Sequence, residues 1–412
     1  MILLLLDFFR GGTGLKIHTV FDYYSTRMIL ASLTSLLISI FLGPSFIKKL
    51  YELKIGQTIR TEDCLLLSQL HQKKKNTPTM GGALILFSML LSMFLWMDWS
   101  HVFTLIFLVT TLCLGGLGAY DDYLKLKYKN SKGLSAKKKI VTQIVLSGLI
   151  AAYLFIPAVS EAIRFGNWFS PPVIKEQTLA NSNTRIRSPE ELSTQSSLSL
   201  TKYASRLYVP FLKDPLFSFT GILIILAPLL TVCVVTGSSN AVNLTDGLDG
   251  LAAGCLIMVA ICLAFIAFVS NNIDLANYLN ILYIEGSGEI AIYLSAFIGA
   301  CMGFLWYNGH PAQVFMGDTG SLALGGIIGV SAVLLKRELL LAIIGGIFVA
   351  EAFSVILQVG SYKFRNKKRI FLCAPLHHHF EYMGWPETKV VIRFWIIGLL
   401  LAIIGIASLK FQ

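Results

Sequence analysis

Apolar residues along this chain come in long blocks separated by short polar segments, without the three-to-four-residue rhythm of a helix that has one wet face. A helix needs about 20 mostly apolar residues to cross the hydrocarbon core of a bilayer. Ten blocks qualify, at 27–47, 80–97, 102–120, 140–160, 216–236, 251–270, 289–307, 320–335, 339–360 and 391–409. The apolar run Ile2–Leu6 is too short for a span or a signal-peptide core, and reads as a segment lying on the membrane surface. The pattern predicts an all-α polytopic integral membrane protein of about ten transmembrane helices, built as a single domain over 1–412. Its longest polar interruption is 161–215, an extended loop whose Ser/Thr/Asn/Pro-rich middle, 176–199, is expected to be a flexible insertion.

Composition agrees with the block pattern. Of the 412 residues 55% are hydrophobic and only 14% charged, where soluble domains carry about one quarter charged residues. That excludes a disordered chain, a coiled coil and an ordinary soluble globule. The net charge of +11 fits basic cytoplasmic loops better than a nucleic-acid partner, and none is expected. With the N-terminus outside, the inner loops hold 20 Lys and Arg and the outer segments 13, seven of them in the 161–215 loop. Long loops weigh little in this rule. Both termini are therefore expected outside, with the reactive loops on the cytoplasmic face. All seven cysteines fall in spans or inner loops, so no disulfide framework is expected.

The inner loops also carry nearly all the reactive side chains. Asp121 and Asp122 follow an apolar span directly. One such Asp can simply mark where a helix leaves the membrane; two together raise a pKa or recruit a cation. Asn243, Asp246 and Asp249 are spaced i, i+3, i+6, which on a helix puts three oxygen-bearing side chains within an arc of about 120°. Gly247 and Gly250 leave open the alternative of a polar turn. Asp318 stands among glycines with no basic residue nearby. Few, open, hard oxygen ligands match Mg²⁺ held partly by substrate phosphates. His377, His378 and His379 are consecutive, point in different directions and lack the spacing of zinc ligands. The lysines at 73–75, 125 and 137–139 and the basic run 363–369 mostly meet lipid headgroups, and a few near the aspartates could clamp a phosphate. Together these residues point to phosphoryl transfer between a soluble and a lipid substrate. A secondary transporter, with Glu351 as its mid-span carboxylate, is the competing class. It lacks support because no internal repeat is present and the polar residues gather at one surface rather than at the midplane.

Five segments carry a family resemblance: Thr77-Pro-Thr-Met-Gly-Gly82, Asp121-Asp-Tyr-Leu-Lys125, Asn240-Ala-Val-Asn-Leu-Thr-Asp-Gly-Leu-Asp-Gly250, Phe315-Met-Gly-Asp-Thr-Gly-Ser-Leu322 and Pro375-Leu-His-His-His-Phe-Glu381. In this order they resemble the polyprenyl-phosphate N-acetylhexosamine-1-phosphate transferases, over most of the chain. The resemblance implies ten spans in a bacterial inner membrane, Mg²⁺ as cofactor, UDP-MurNAc-pentapeptide as donor and undecaprenyl phosphate as acceptor, giving lipid I and UMP. The histidine motif favours this donor over UDP-GlcNAc, the sister reaction. Carried over by position, Asp318 is the Mg²⁺ ligand and Asp121 the base that deprotonates the lipid phosphate, with Asp122 and Asp246 supporting metal and diphosphate; the alternative is an aspartate nucleophile and a phospho-sugar enzyme intermediate. Lys74, Thr79, Asn243, Gly247, Leu248, Asp249, Asn308 and Phe315 line the nucleotide pocket, bordered by Gln358 and Ala374. Lys125 and Lys137 meet the phosphates, and His377 and His378, with the adjoining His379, the sugar-diphosphate region. The resemblance also implies a homodimer. The 161–215 loop is longer than the family pattern leads one to expect.

Overall fold

A computed structural model describes residues 19–53, 77–128, 133–166, 168–179 and 193–411. Lys74, expected in the nucleotide pocket, lies outside the described residues. Each of the ten apolar blocks is helical. Among the described residues, nine helices are long and apolar enough to cross a membrane: Tyr24–Glu52, Val102–Lys127, Ala136–Phe155, Gly221–Thr245, Leu251–Ser270, Ser287–Asn308, Gly317–Leu334, Gly346–Phe364 and Glu387–Ala407. The tenth, Gly82–Trp96, is also apolar but has only 15 residues.

Burial follows the membrane setting. Helices 251–270, 287–308 and 317–334 form the most heavily buried centre. The peripheral helices bury a single stripe. In 24–52 it is Arg27, Ala31, Ser35, Ser39, Gly43, Ile47 and Leu50, close to the four-residue spacing of one helix face. Their other faces expose large apolar side chains such as Phe41, Ile222 and Ile396, as lipid contact requires. Between helices, small residues allow close approach. A Cβ added at Gly299 would stand 2.0 Å from the Ser32 carbonyl oxygen, and one at Gly303 2.5 Å from Ser39 Cβ.

One block departs from the sequence expectation. The 339–360 block is two helices, Glu338–Ile344 and Gly346–Phe364, broken at Gly345. Glycine favours a helix less than any residue but proline, yet in a hydropathy pattern Gly345 leaves no gap. The fold is all-α in class, and the described residues add two small sheets. Strands Ile174–Leu179 and Ser193–Leu198 pair antiparallel, and Ile174 and Lys175 also pair with Ile284 and Tyr283. Residues 176–179 and 193–198 of the 176–199 stretch are in these strands, and 180–192 lies outside the described residues. Ile174, Leu198 and Ile284 are buried and anchor this small sheet. A second two-stranded pairing joins Arg206–Leu207 to Phe217–Ser218.

Candidate active site

Backbone hydrogen bonds gather the motif loops at one end of the bundle. Phe315 N donates to the Pro78 carbonyl, and Gly81 N and Gly82 N donate to the carbonyls of Phe315 and Met316, each at 2.8 Å. Leu134 N donates to Asp121 Oδ1 at 2.6 Å, Gly250 N to Asn308 Oδ1 at 3.0 Å and Asp249 N to Glu387 Oε1 at 2.8 Å. Segments far apart in sequence therefore share one surface.

At its centre are Asp121, Asp122 and Asp318. Helix 102–127 meets the start of helix 317–334 so closely that a Cβ at Gly118 would lie 2.1 Å from the Asp318 carbonyl oxygen. Gly317, at φ +73°, makes the turn that brings in Asp318; a Cβ there would lie 2.7 Å from both Asp122 Oδ2 and Thr79 Oγ1. Asp122 caps the new helix: its Oδ2 accepts from Thr319 N at 2.9 Å and from Thr319 Oγ1 at 2.7 Å, and its Oδ1 from Asp318 N at 3.3 Å. A carboxylate suits a helix N-terminus, where unpaired N–H groups and the helix dipole favour negative charge.

Two lysines face these carboxylates. Lys125 Nζ lies 2.6 Å from Asp121 Oδ2 and 3.0 Å from Asp318 Oδ2. Lys139 Nζ lies 2.5 Å from Asp318 Oδ2 and 3.0 Å from Asp121 Oδ2. Asn243 Nδ2 donates to Asp318 Oδ1 at 3.0 Å and to Ser321 Oγ at 2.8 Å. Asp246 follows the end of helix 226–245, and removal from water together with the Asp318 and Asp122 carboxylates pushes it up to about 7. The centre thus combines an excess of carboxylate with two movable ammonium groups, a set able to bind a cation and then phosphate oxygens. One ligand atom from each of Asp121, Asp122 and Asp318 lies within 4.8 Å of the others. An all-oxygen group of this kind fits Mg²⁺ and not zinc.

The other expected residues divide. Asn243 and Asp246 belong to this centre, but Asp249 does not share their arc. The helix ends at Thr245, and Gly250 turns the chain at φ +77°. Asp249 Oδ2 instead lies 3.0 Å from His310 Nδ1 and accepts from Ala312 N at 3.1 Å, and His310 Nδ1 is 3.7 Å from Glu387 Oε2. Leu248 and Asn308 are buried, and the Asn308 amide is engaged with Gly250 and Val314. Thr79 and Phe315 are half-buried in the paired loops 77–82 and 313–318. Lys137 is exposed and makes none of the centre's ion pairs; Lys139 makes them.

The histidines play three different parts. His377 is fully buried, its backbone N–H donating to Glu351 Oε1 at 3.1 Å and its Nδ1 3.2 Å from Glu351 Oε2. Its Nε2 lies under Gly247, where an added Cβ would be only 2.3 Å away. His378 Nδ1 pairs with Glu381 Oε2 at 2.8 Å, while His379 Nδ1 accepts from Leu372 N at 3.2 Å. Gln358 hydrogen-bonds the backbone of Ile370 and Phe371, bracing the loop that leads to Ala374 and the histidine helix Leu376–Tyr382. Lys139, Thr319, Ser321, His310 and Glu387 were not singled out from the sequence. For Lys139 the signal was its lysine run; for Thr319 and Ser321, adjacency to Asp318. His310 and Glu387 gave none.

Three carboxylates and two ammonium groups at the end of a membrane bundle are suited to a membrane-bound enzyme that moves phosphate-linked groups. The glycosyl transferase family 4 model matches residues 190–336. A phospho-N-acetylmuramoyl-pentapeptide-transferase of Protochlamydia amoebophila (strain UWE25) is 68% identical over 412 residues, 100% of both chains. Proteins of the same name from Desulfotalea psychrophila and Koribacter versatilis are 42% and 43% identical, each covering 95% of both chains. The chain belongs to the phospho-N-acetylmuramoyl-pentapeptide-transferase family.

Proposed function

We propose that this chain transfers phospho-MurNAc-pentapeptide from UDP-MurNAc-pentapeptide to undecaprenyl phosphate, giving lipid I and UMP for peptidoglycan synthesis. The full-length identity to proteins named for this transfer carries the reading. The carboxylate–lysine centre supplies chemistry that suits it. Its setting is a bacterial inner membrane, with the centre on the cytoplasmic face where the UDP-sugar is available and the basic loops gather.

Asp318, supported by Asp122, would hold Mg²⁺. When bound, the ion neutralises charge on the diphosphate and the departing UMP. Asp121 takes the proton from the lipid phosphate, leaving an oxygen anion as nucleophile. Lys125 and Lys139 turn toward phosphate oxygens and hold the reactants in line, since positioning and charge neutralisation supply most of the catalysis in such transfers. Asp122 acts through the helix it caps, keeping Asp318 in place. Asn243 orients the Asp318 carboxylate from its other oxygen.

The test is UMP release by the purified protein with undecaprenyl phosphate and Mg²⁺, first with UDP-MurNAc-pentapeptide and then with UDP-GlcNAc. Release with the pentapeptide donor alone is the expected result. Release with UDP-GlcNAc alone would overturn the donor assignment and keep the chemistry.

A further inference from the structure

At the end of the bundle opposite the aspartate centre, helix 317–334 ends in a second, buried charged cluster. It joins the turn after helix 317–334 to the Arg206–Ser218 hairpin. Lys336 Nζ pairs with Glu338 Oε1 at 2.5 Å and donates to the Ala204 carbonyl at 3.1 Å. Arg206 pairs with Glu176 Oε1 at 2.8 Å and donates to Tyr208 Oη at 3.2 Å. Arg337, only 6% exposed, lies with its guanidinium carbon 5.6 Å from the centre of the Tyr208 ring.

The two carboxylates are thus ion-paired with Lys336 and Arg206, and Glu338 acts on Arg337 only at longer range. Among the described residues no carboxylate comes within ion-pair distance of Arg337, and its guanidinium donates no hydrogen bond to them. Burial lowers its pKa from the ordinary value, which marks the cost of keeping it charged there. A buried cation is normally offset by an anion and hydrogen-bond acceptors, and the planar fork of arginine matches two phosphate oxygens.

The adjoining surface favours a lipid as the source of that phosphate. The hairpin that carries Arg206 and Tyr208 continues into exposed Phe211, Leu212, Leu216 and Phe217. An exposed apolar tip beside membrane-crossing helices belongs in the acyl and headgroup boundary. The same element therefore offers an apolar rest for lipid chains and a spare guanidinium for a headgroup.

We propose that the Arg337 cluster binds the phosphodiester of an anionic phospholipid, in the leaflet opposite the one that serves the aspartate centre. The site is independent of the transfer reaction and does not rest on its assignment.

The test uses full-length protein in detergent, titrated with short-chain phosphatidylglycerol, phosphatidylcholine or inorganic phosphate, with binding read by native mass spectrometry and by thermal unfolding. Wild type is expected to bind phosphatidylglycerol at least about tenfold more tightly than phosphatidylcholine, which has the same phosphodiester but adds a choline cation that the Arg337 charge repels. Arg337→Gln should lose most of that preference. Glu338→Gln, which removes a competing negative charge, should increase it. Folded Arg337→Gln with unchanged preference overturns the proposal. Inorganic phosphate binding as tightly as phosphatidylglycerol overturns the lipid assignment. If Arg337→Gln does not fold, Glu338→Gln decides: tighter phosphatidylglycerol binding supports the site, and unchanged or weaker binding refutes it.

Discussion

Asp122 takes both the backbone N–H and the hydroxyl of Thr319 on one carboxylate oxygen, and so ties the end of helix 102–127 to the start of helix 317–334. Losing a charge-assisted hydrogen bond costs about 1.5 kcal/mol or more, roughly tenfold in rate if it is felt in the transition state. Thr319→Val is expected to lower turnover about tenfold and Asp122→Ala about a hundredfold, measured as UMP release from folded protein. Wild-type turnover in Asp122→Ala would show that the cap does not position the centre.

The lysine run is expected to be unequal. Lys139 lies against both Asp318 and Asp121, whereas Lys137 is exposed. Lys139→Gln should reduce turnover on the order of a hundredfold, as expected for a lost group that stabilises developing charge. Lys137→Gln should stay within about twofold of wild type. Equal losses in the two variants would return the role to the run as a whole.

Asp318→Asn and Asp121→Asn are each expected to lower turnover by about two orders of magnitude or more. Excess EDTA should abolish wild-type activity and added Mg²⁺ restore it, with Asp318→Asn needing a higher Mg²⁺ concentration. Metal-independent turnover in the wild type would remove the cation from the mechanism.

His377 fills the space that a side chain at position 247 would need. Gly247→Ala is expected to destabilise the protein by about 1–3 kcal/mol, the usual range for overpacking, and thermal unfolding would read it. Removing the imidazole should relieve the clash, so the His377→Ala/Gly247→Ala pair should recover part of the loss relative to additive single changes. Strict additivity would place the strain elsewhere.

The spans were legible because crossing a bilayer demands a long apolar run whatever the tertiary packing. The carboxylates of the centre were legible because charged side chains are conspicuous in so apolar a chain. Lys139 was not separable from Lys137 because two residues turn a helix by about 200°, and only the packing of helix 136–155 says which side faces Asp318. Asp249 was grouped with Asp246 because the spacing fits one helix face, while the actual end at Thr245 sends it toward His310 and Glu387. The break at Gly345 and the strands that flank 180–192 depend on partners distant in sequence, such as Ile284 for Ile174. No local pattern announces them.

The shortness of helix Gly82–Trp96 makes lipid composition a variable of this enzyme. Its 15 residues span about 22 Å at 1.5 Å per residue, less than the roughly 30 Å of hydrocarbon in a typical bilayer. Such a mismatch is met by local thinning or by a sunken helix end. The Gly82 end is tied to Phe315 and Met316, next to Asp318. Acyl-chain length is thus expected to act on the segment bonded to the Phe315–Asp318 loop, a thick membrane loading the same contacts that hold the carboxylates together.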